Sequence, residues 1–224
     1  MQERNKTVTA VMLAAVETGG QIYGGGRWDD YTEPKTNSSL EHTCTLGAYA
    51  FYGEEARMLI RMIFEEDAAL FRSLDDGRIE EMLPVDWVSV HWRPSAGEAG
   101  VLQKLISTDA GIRCQQRLMC DLRLPRYIAR AEEYGVLEDE AQMMWCEIQH
   151  LGGLAPTQRV FGRCGGDYSI DSILRALAAD QTDSRYAANG VGSKKYWSRH
   201  EACARMIREH AELHEDGVYI RIGG

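Results

Sequence analysis

The chain has 224 residues, 44% of them hydrophobic and 26% charged, which is the composition of a globular protein with one large domain or two small lobes. Its formal net charge of -9 argues against nonspecific nucleic-acid binding, which depends on clustered Lys and Arg. No apolar run reaches the roughly 18 to 20 residues that cross a bilayer, so we expect no membrane insertion.

The first predicted element is an amphipathic helix over residues 6–18, whose apolar residues recur at helical spacing. Gly19 and Gly20 predict its end. The apolar positions are periodic and interrupted by polar residues, unlike the layout of a signal peptide. We therefore expect a protein made in the cytoplasm without a cleaved signal.

The rest of the chain predicts a small β element followed by helices. Residues 21–48 lack a helical period and are rich in Gly, Thr, Tyr and Ser, which is typical of short strands and loops. One long helix is predicted from Gly53 to Phe71. Further helices are predicted after Ser95 (with Glu98 in a capping box), after Asp109, from Pro125 to Gly135, over 138–150, after Ser169 or Asp171, and over 194–213.

These elements predict a mainly α fold with one small β element near the N-terminus. The sequence contains no internal repeat and no low-complexity segment.

The six cysteines contain no CxxC pair, and the chain has no HExxH motif, so neither a metal nor another cofactor is expected. Free thiols, mostly buried, are expected instead of disulfides. A Cys–His nucleophile built from Cys44 and His42 is a weak alternative. Residues two apart on a strand share a face, but a nucleophile and its base normally come from separate elements.

The stretch "ETGGQIYGGGRWDDYTEP" carries the candidate catalytic residues. Glu17 ends the first helix and is followed by glycines, and Asp29 and Asp30 lie 12 and 13 residues further on, after Trp28. Glycosidic bonds are cleaved by a carboxylic acid that protonates the leaving oxygen and a second carboxylate that activates water or attacks carbon. An apolar helix beside Glu17 and open backbone after it suit a partly buried acid next to a ligand.

This arrangement resembles the lysozyme-like superfamily of glycoside hydrolases. There a glutamate ends a helix, a small β-hairpin carries the second carboxylate, and a helical lobe closes the cleft. "ETGG", "YGGGRWDDYTEP" and "HTCTLGAYAFYG" are similar to the active-site side of glycosidase domains from phage lysins, and "TLGAY" is similar to the Thr-Ile-Gly segment that lines the sugar cleft of phage lysozymes. The resemblance covers residues 1–210. It implies a mainly α fold of α+β type, with helical lobes and a small N-terminal β-hairpin that flank a substrate cleft. Residues 1–214 would then form the catalytic domain, and 215–224 a C-terminal tail or the start of a linker.

The resemblance implies that Glu17 is the general acid and that Asp29 or Asp30 is the water-activating base. Neighbouring residues on a regular strand face opposite ways, so one of the two is expected to point inward, and we favour Asp30. Glu33, in the same loop, remains open as an alternative. Thr45 is expected to orient the water or the second carboxylate.

The sugar chain is expected to contact a set of mainly aromatic and small residues: Trp28, Thr45, Gly47, Tyr49, Tyr52 and His150. The aromatic members suit stacking on sugar rings. His150 has a second interpretation, since a charged histidine stabilises the C-terminal end of a helix.

The expected activity is hydrolysis of β-1,4 bonds in the glycan strands of bacterial peptidoglycan by a monomeric enzyme of the phage-lysin type. A muramidase is favoured over a glucosaminidase. Inversion is favoured because a carboxylate on a separate hairpin leaves the roughly 6.5 to 9.5 Å that a water needs. The alternatives are a chitosanase, since the charge of -9 suits a polycationic chain, and a non-catalytic wall-binding or phage structural module in which Glu17 merely ends a helix.

Overall fold

The computed structural model describes residues 1–18, 27–34 and 41–212, the last three as backbone alone. The described chain is mainly helical with a small three-stranded antiparallel sheet, which confirms the predicted fold class. It divides into two compact units. The sheet unit comprises the described residues of 17–119, and the helical unit comprises 1–16 and 120–212.

The sheet unit holds the sheet and five helices of the described chain. They are β1 Tyr31–Thr32, β2 Thr45–Leu46, β3 Phe51–Tyr52, α2 Glu54–Glu66, α3 Ala68–Leu74, α4 Arg78–Met82, α5 Ala96–Ser107 and α6 Asp109–Leu118. The strand order is β1-β2-β3, with Tyr31 opposite Leu46 and Leu46 opposite Phe51. Because α2 packs on α5, α6 and β3, its apolar face forms the centre of this unit.

The helical unit is built around one buried helix. Its helices are α1 Glu3–Glu17, which ends in the sheet unit, α7 Leu124–Glu133, α8 Asp139–Gly152, α9 Leu154–Arg163, α10 Ile170–Ala178 and α11 Trp197–Glu212, with a π-helix at Met119–Arg123 and a 3-10 turn at Ala179–Gln181. Helix α8 packs against α7, α9, α10 and α11, and its Trp145 is fully buried. Val8 and Met12 of α1 belong to the same core.

Local sequence signals place most helix starts correctly. Ser95 accepts from the backbone N–H of Glu98 and the Glu98 carboxylate accepts from that of Ser95, which confirms the capping box. Ser169 caps α10 and resolves the choice between it and Asp171. The predicted helix ends at Gly19 and Gly20, and the tail at 215–224, lie outside the described residues.

Three expectations about helices were wrong. The helix from Gly53 is two helices, because Asp67 ends α2 and its side chain caps α3 by accepting from Leu70 N–H at 2.9 Å. Asp109 does not cap α6; Thr108 does, by accepting from Gly111 N–H at 3.0 Å. The last helix begins at Trp197 and not at 194.

All six cysteines are free thiols. Cys44, Cys114, Cys146 and Cys203 are buried, and Cys120 and Cys164 are partly exposed. Burial is the main reason that their pKa values lie above the ordinary thiol value wherever a shift is present, as at Cys44, whose pKa is raised to about 12.

Candidate active site

Thr18, the residue after Glu17, is hydrogen-bonded to the segment that carries the two aspartates. Glu17 is the last residue of α1 and is half-buried. The hydroxyl oxygen of the next residue, Thr18, accepts a hydrogen bond from the backbone N–H of Arg27 at 3.0 Å. This contact brings the chain after Glu17 to the beginning of the segment that holds Asp29 and Asp30. The glycine run at 19–26 lies outside the described residues.

A tight turn at Arg27 sets the positions of the two aspartates. The carbonyl of Arg27 accepts from Asp30 N–H at 3.2 Å, and the Arg27 guanidinium lies 3.8 Å from a carboxylate oxygen of Asp29 and of Asp30. The Asp29 side chain is 55% exposed and the Asp30 side chain 29%. The sequence pattern did not decide which of the two aspartates points inward. In the structure their side chains have different surroundings.

Burial distinguishes Asp30 chemically. Burial raises the pKa of Asp30, Arg27 opposes that rise, and the charge of Asp29 adds to it. A raised pKa makes a carboxylate more basic than an ordinary aspartate. Asp30 thus differs chemically from an ordinary exposed aspartate.

Two substitutions are expected to move the pKa of Asp30 in opposite directions. Arg27→Met removes a cation that lowers this pKa, so the pKa should rise; Asp29→Asn removes an anion that raises it, so the pKa should fall. Carbon NMR titration of the Asp30 carboxyl group at low salt measures both shifts, and added salt should shrink them because Arg27 is exposed. Shifts of the same sign in both variants would contradict this electrostatic account.

One face of the β-sheet, which begins next to Asp30, carries polar side chains. Thr32, Thr45 and Tyr52 are paired across the three strands, so their side chains share one face, and all three are partly or fully exposed. Gly47 N–H donates to the carbonyl of Asp30 at 2.7 Å and continues the β1-β2 register by one pair. Continuation of this pairing places the Asp30 side chain on the same face as Thr32 and Thr45.

Trp28 and Tyr52 retain the exposure that a sugar platform needs, whereas Tyr49 does not. The Trp28 ring is half-buried and meets Tyr49 edge to face, with centroids 5.9 Å apart. Tyr49 is only 2% exposed and packs against Phe51, so the expectation that it stacks on a ligand was wrong. The Tyr49 ring packs against the Trp28 ring instead. The hydroxyl oxygen of Tyr52 accepts from His42 N–H at 2.7 Å.

Gly47 has a structural role and does not line the surface as expected. It is buried with φ +76, and a Cβ atom there would lie 2.2 Å from Oε1 of Gln115. Only glycine admits this approach. Sequence reasoning did not find Gln115, because a glutamine within a helix does not reveal a partner that is distant along the chain.

His150 belongs to the helical unit. Its Nδ1 lies 3.5 Å from the guanidinium of Arg123 and 3.4 Å from the hydroxyl of Tyr127. Burial, together with the charges of Arg123 and Arg199, puts its pKa well below the ordinary histidine value. The expectation of a charged histidine that stabilises a helix end was therefore wrong, and the imidazole is neutral at neutral pH.

The structure disfavours a Cys44–His42 nucleophile. Cys44 is fully buried and its pKa is raised to about 12, so almost no thiolate exists at neutral pH. The imidazole ring of His42 stacks instead on that of His91, with centroids 4.3 Å apart and planes 20° from parallel. Buried thiols of this kind pack and do not react.

Comparisons of the chain with models of protein families, with curated proteins and with solved structures gave no match. Within the described ranges, no cluster of three or more His, Cys, Asp or Glu side chains is arranged to hold a metal ion. None of the helices in the same ranges combines the length and the apolar character that a membrane span requires.

Proposed function

We propose that the protein is a peptidoglycan-degrading glycoside hydrolase of the muramidase type, which acts on the bacterial cell wall. One observation carries this proposal. The Thr18–Arg27 hydrogen bond joins the residue after Glu17 to the residue that begins the turn with Asp30, which is half-buried and has a raised pKa. Two carboxyl groups in different surroundings are the chemical requirement for cleavage of a glycosidic bond.

The two carboxyl groups have separate roles in this proposal. Glu17 protonates the oxygen of the leaving sugar, and Asp30 takes a proton from the water that attacks the sugar carbon from the opposite side. Thr45, on the same sheet face as Asp30, orients that water through its hydroxyl. Because water and not a carboxylate attacks the carbon, the configuration at that carbon inverts. Neither a metal nor another cofactor takes part.

The overall layout supports the resemblance to lysozyme-like enzymes. A glutamate at a helix end, a small antiparallel sheet directly after it and a set of packed helices occur here in the order expected of that superfamily. The half-buried Trp28, next to the two aspartates, offers an aromatic face on which a sugar ring stacks.

A substrate comparison tests the proposal. The protein is incubated with purified peptidoglycan, with chitosan and with chitin oligosaccharides, and new reducing ends are counted and identified by mass spectrometry. We expect muramic-acid reducing ends from peptidoglycan and little product from the other two. Glucosamine ends from chitosan would favour the chitosanase that the net charge of -9 also suits. Tight binding to peptidoglycan without new ends would contradict the proposal and favour a wall-binding module.

A further inference from the structure

Gln115 is a fully buried amide in the sheet unit with all of its hydrogen-bonding groups occupied by backbone. It lies on α6 and has 0% exposure. Its Nε2 donates to the carbonyl oxygens of Ile106 at 2.9 Å and Trp28 at 3.0 Å, and its Oε1 accepts from the N–H of Ala48 at 2.8 Å. One side chain thus joins three segments that are far apart in sequence.

Two of these contacts lie close in sequence to Asp30 or to its strand partner, Gly47. Trp28 lies two residues before Asp30, and Ala48 directly follows Gly47, whose N–H donates to the Asp30 carbonyl. Gln115 therefore binds the backbone beside each of the two paired residues, Asp30 and Gly47. Gly47 contributes by lacking a Cβ, which would lie 2.2 Å from Oε1 of Gln115.

No other side chain of similar size reproduces these bonds. A glutamate accepts from Ala48 but has no N–H to donate to the carbonyl of Trp28, and methionine does neither. The loss of such a partner leaves a buried backbone group unsatisfied, and the segment then shifts to find water or another partner.

We propose that Gln115 is a positioning residue for Asp30, an inference that rests on the proposed glycoside hydrolase function. Gln115 touches neither substrate nor the reacting atoms; it acts through the backbone of Trp28 and Ala48. A displacement of about 1 Å in a reacting group lowers a rate by roughly 100-fold, so this is the scale of effect that its loss should have.

A double-mutant cycle tests this role separately from general stability. Gln115→Met is expected to lower kcat on peptidoglycan about 100-fold in the otherwise unchanged protein, and less than about 3-fold when Asp30 is already asparagine. A purely structural residue lowers kcat by the same factor in both backgrounds. If Gln115→Met does not fold, Gln115→Asn takes its place, because it keeps an uncharged amide but is one methylene too short to reach all three backbone partners.

Gln142 supplies a matched control. It is also buried, at 1% exposure, and its Nε2 donates to the carbonyl of Val136 at 3.0 Å in the helical unit. Gln142→Met should reduce stability while kcat of the folded protein stays within about 3-fold. Amide hydrogen exchange should quicken at residues 28–31 and 47–48 in the Gln115 variant and not in the Gln142 variant.

The outcomes separate this inference from the proposed function. An active wild type whose Gln115 variants keep at least half of its kcat, or lose the same factor with and without Asp30, would overturn the role of Gln115 alone. A wild type that hydrolyses no glycan would overturn the proposed function and this role with it.

Discussion

Glu17→Gln is expected to lower kcat on peptidoglycan by about 10²- to 10⁴-fold, the range that follows the loss of a general acid. Glutamine has nearly the same shape as glutamate but has no acidic proton to give to the leaving oxygen. Glu17 ends α1 and is half-buried, and the substitution keeps the side-chain volume, so the free energy of unfolding should fall by no more than about 1 kcal/mol. The rate of appearance of reducing ends and the urea unfolding midpoint measure the two effects.

Glu33→Gln is the matched control for this experiment. Glu33 is exposed, lies in the same segment as Asp30 and is the carboxylate that the sequence left open as an alternative. Its replacement should leave kcat within about 3-fold. A large loss in the Glu33 variant together with near-normal activity of an Asp30→Asn variant would move the base from Asp30 to Glu33.

The second large effect is expected in the helical unit, at a buried charged cluster. Glu147 on α8 has 0% side-chain exposure and accepts from Nε of Arg199 at 2.6 Å and from Nδ1 of His200 at 2.9 Å. Nε2 of His200 donates to the carbonyl of Val191 at 2.5 Å. Since both ring nitrogens of His200 face acceptors, the imidazole is protonated and the cluster joins α8, α11 and the chain before α11.

Glu147→Gln should reduce the free energy of unfolding by about 3–5 kcal/mol, because it leaves the buried cations without their counter-charge. The surface pair Arg130–Glu133 provides the control, since both side chains are more than half exposed. Glu133→Gln should cost less than about 1 kcal/mol. Urea unfolding at about pH 6 compares the two variants, and a Glu147 loss as small as that of Glu133 would contradict the importance of the cluster.

The same cluster should give the stability a defined pH dependence. Burial opposes protonation of His200, but Glu147 and the Val191 carbonyl outweigh it and raise the pKa above 6.5. The stabilisation is therefore complete below about pH 6.5 and is lost as the pH rises through the raised pKa. Burial likewise opposes ionisation of Glu147, but His200 and Arg199 lower its pKa from 4.5 to about 2, so its contribution is present above pH 4.5 and is lost as the pH falls toward 2.

Unfolding curves measured across this range check the sign of the effect. The wild type should lose stability from about pH 6.5 upward, and the Glu147→Gln protein should lose much less over the same interval. A wild type that gains stability as the pH rises above neutrality, with the Glu147 variant following it, would contradict a protonated His200.

Much of the fold was predictable, because helical periodicity and capping patterns depend on residues that are close together in the sequence. Helical periodicity placed α1 and α8, and the Ser95–Glu98 capping box placed the start of α5. The break at Asp67 was missed because the apolar spacing continues across it, and the carboxylate's bond to Leu70 N–H depends on backbone geometry that periodicity does not report.

The sequence predicted only those residues of the candidate site whose type and sequence neighbours indicate a role. The sequence indicated Glu17 and an aspartate at 29–30, but the difference in burial that separates Asp29 from Asp30 arises from the turn at Arg27. The burial of Tyr49 and the bonds of Gln115 depend on contacts between segments that are distant along the chain. The amino-acid composition around a residue does not indicate such contacts.

Hydrolysis of purified peptidoglycan in water enriched in the heavy oxygen isotope shows whether Glu17 and Asp30 catalyse the attack of water on the glycosidic bond. If Glu17 and Asp30 act as acid and water-activating base, mass spectrometry should find muramic-acid reducing ends that carry one heavy oxygen, and both the Glu17→Gln and Asp30→Asn proteins should release far fewer of them. Unlabelled anhydro sugars would show that no water enters the bond and would contradict the role of Asp30. The absence of any new reducing ends from the folded wild type would contradict the proposed hydrolase itself.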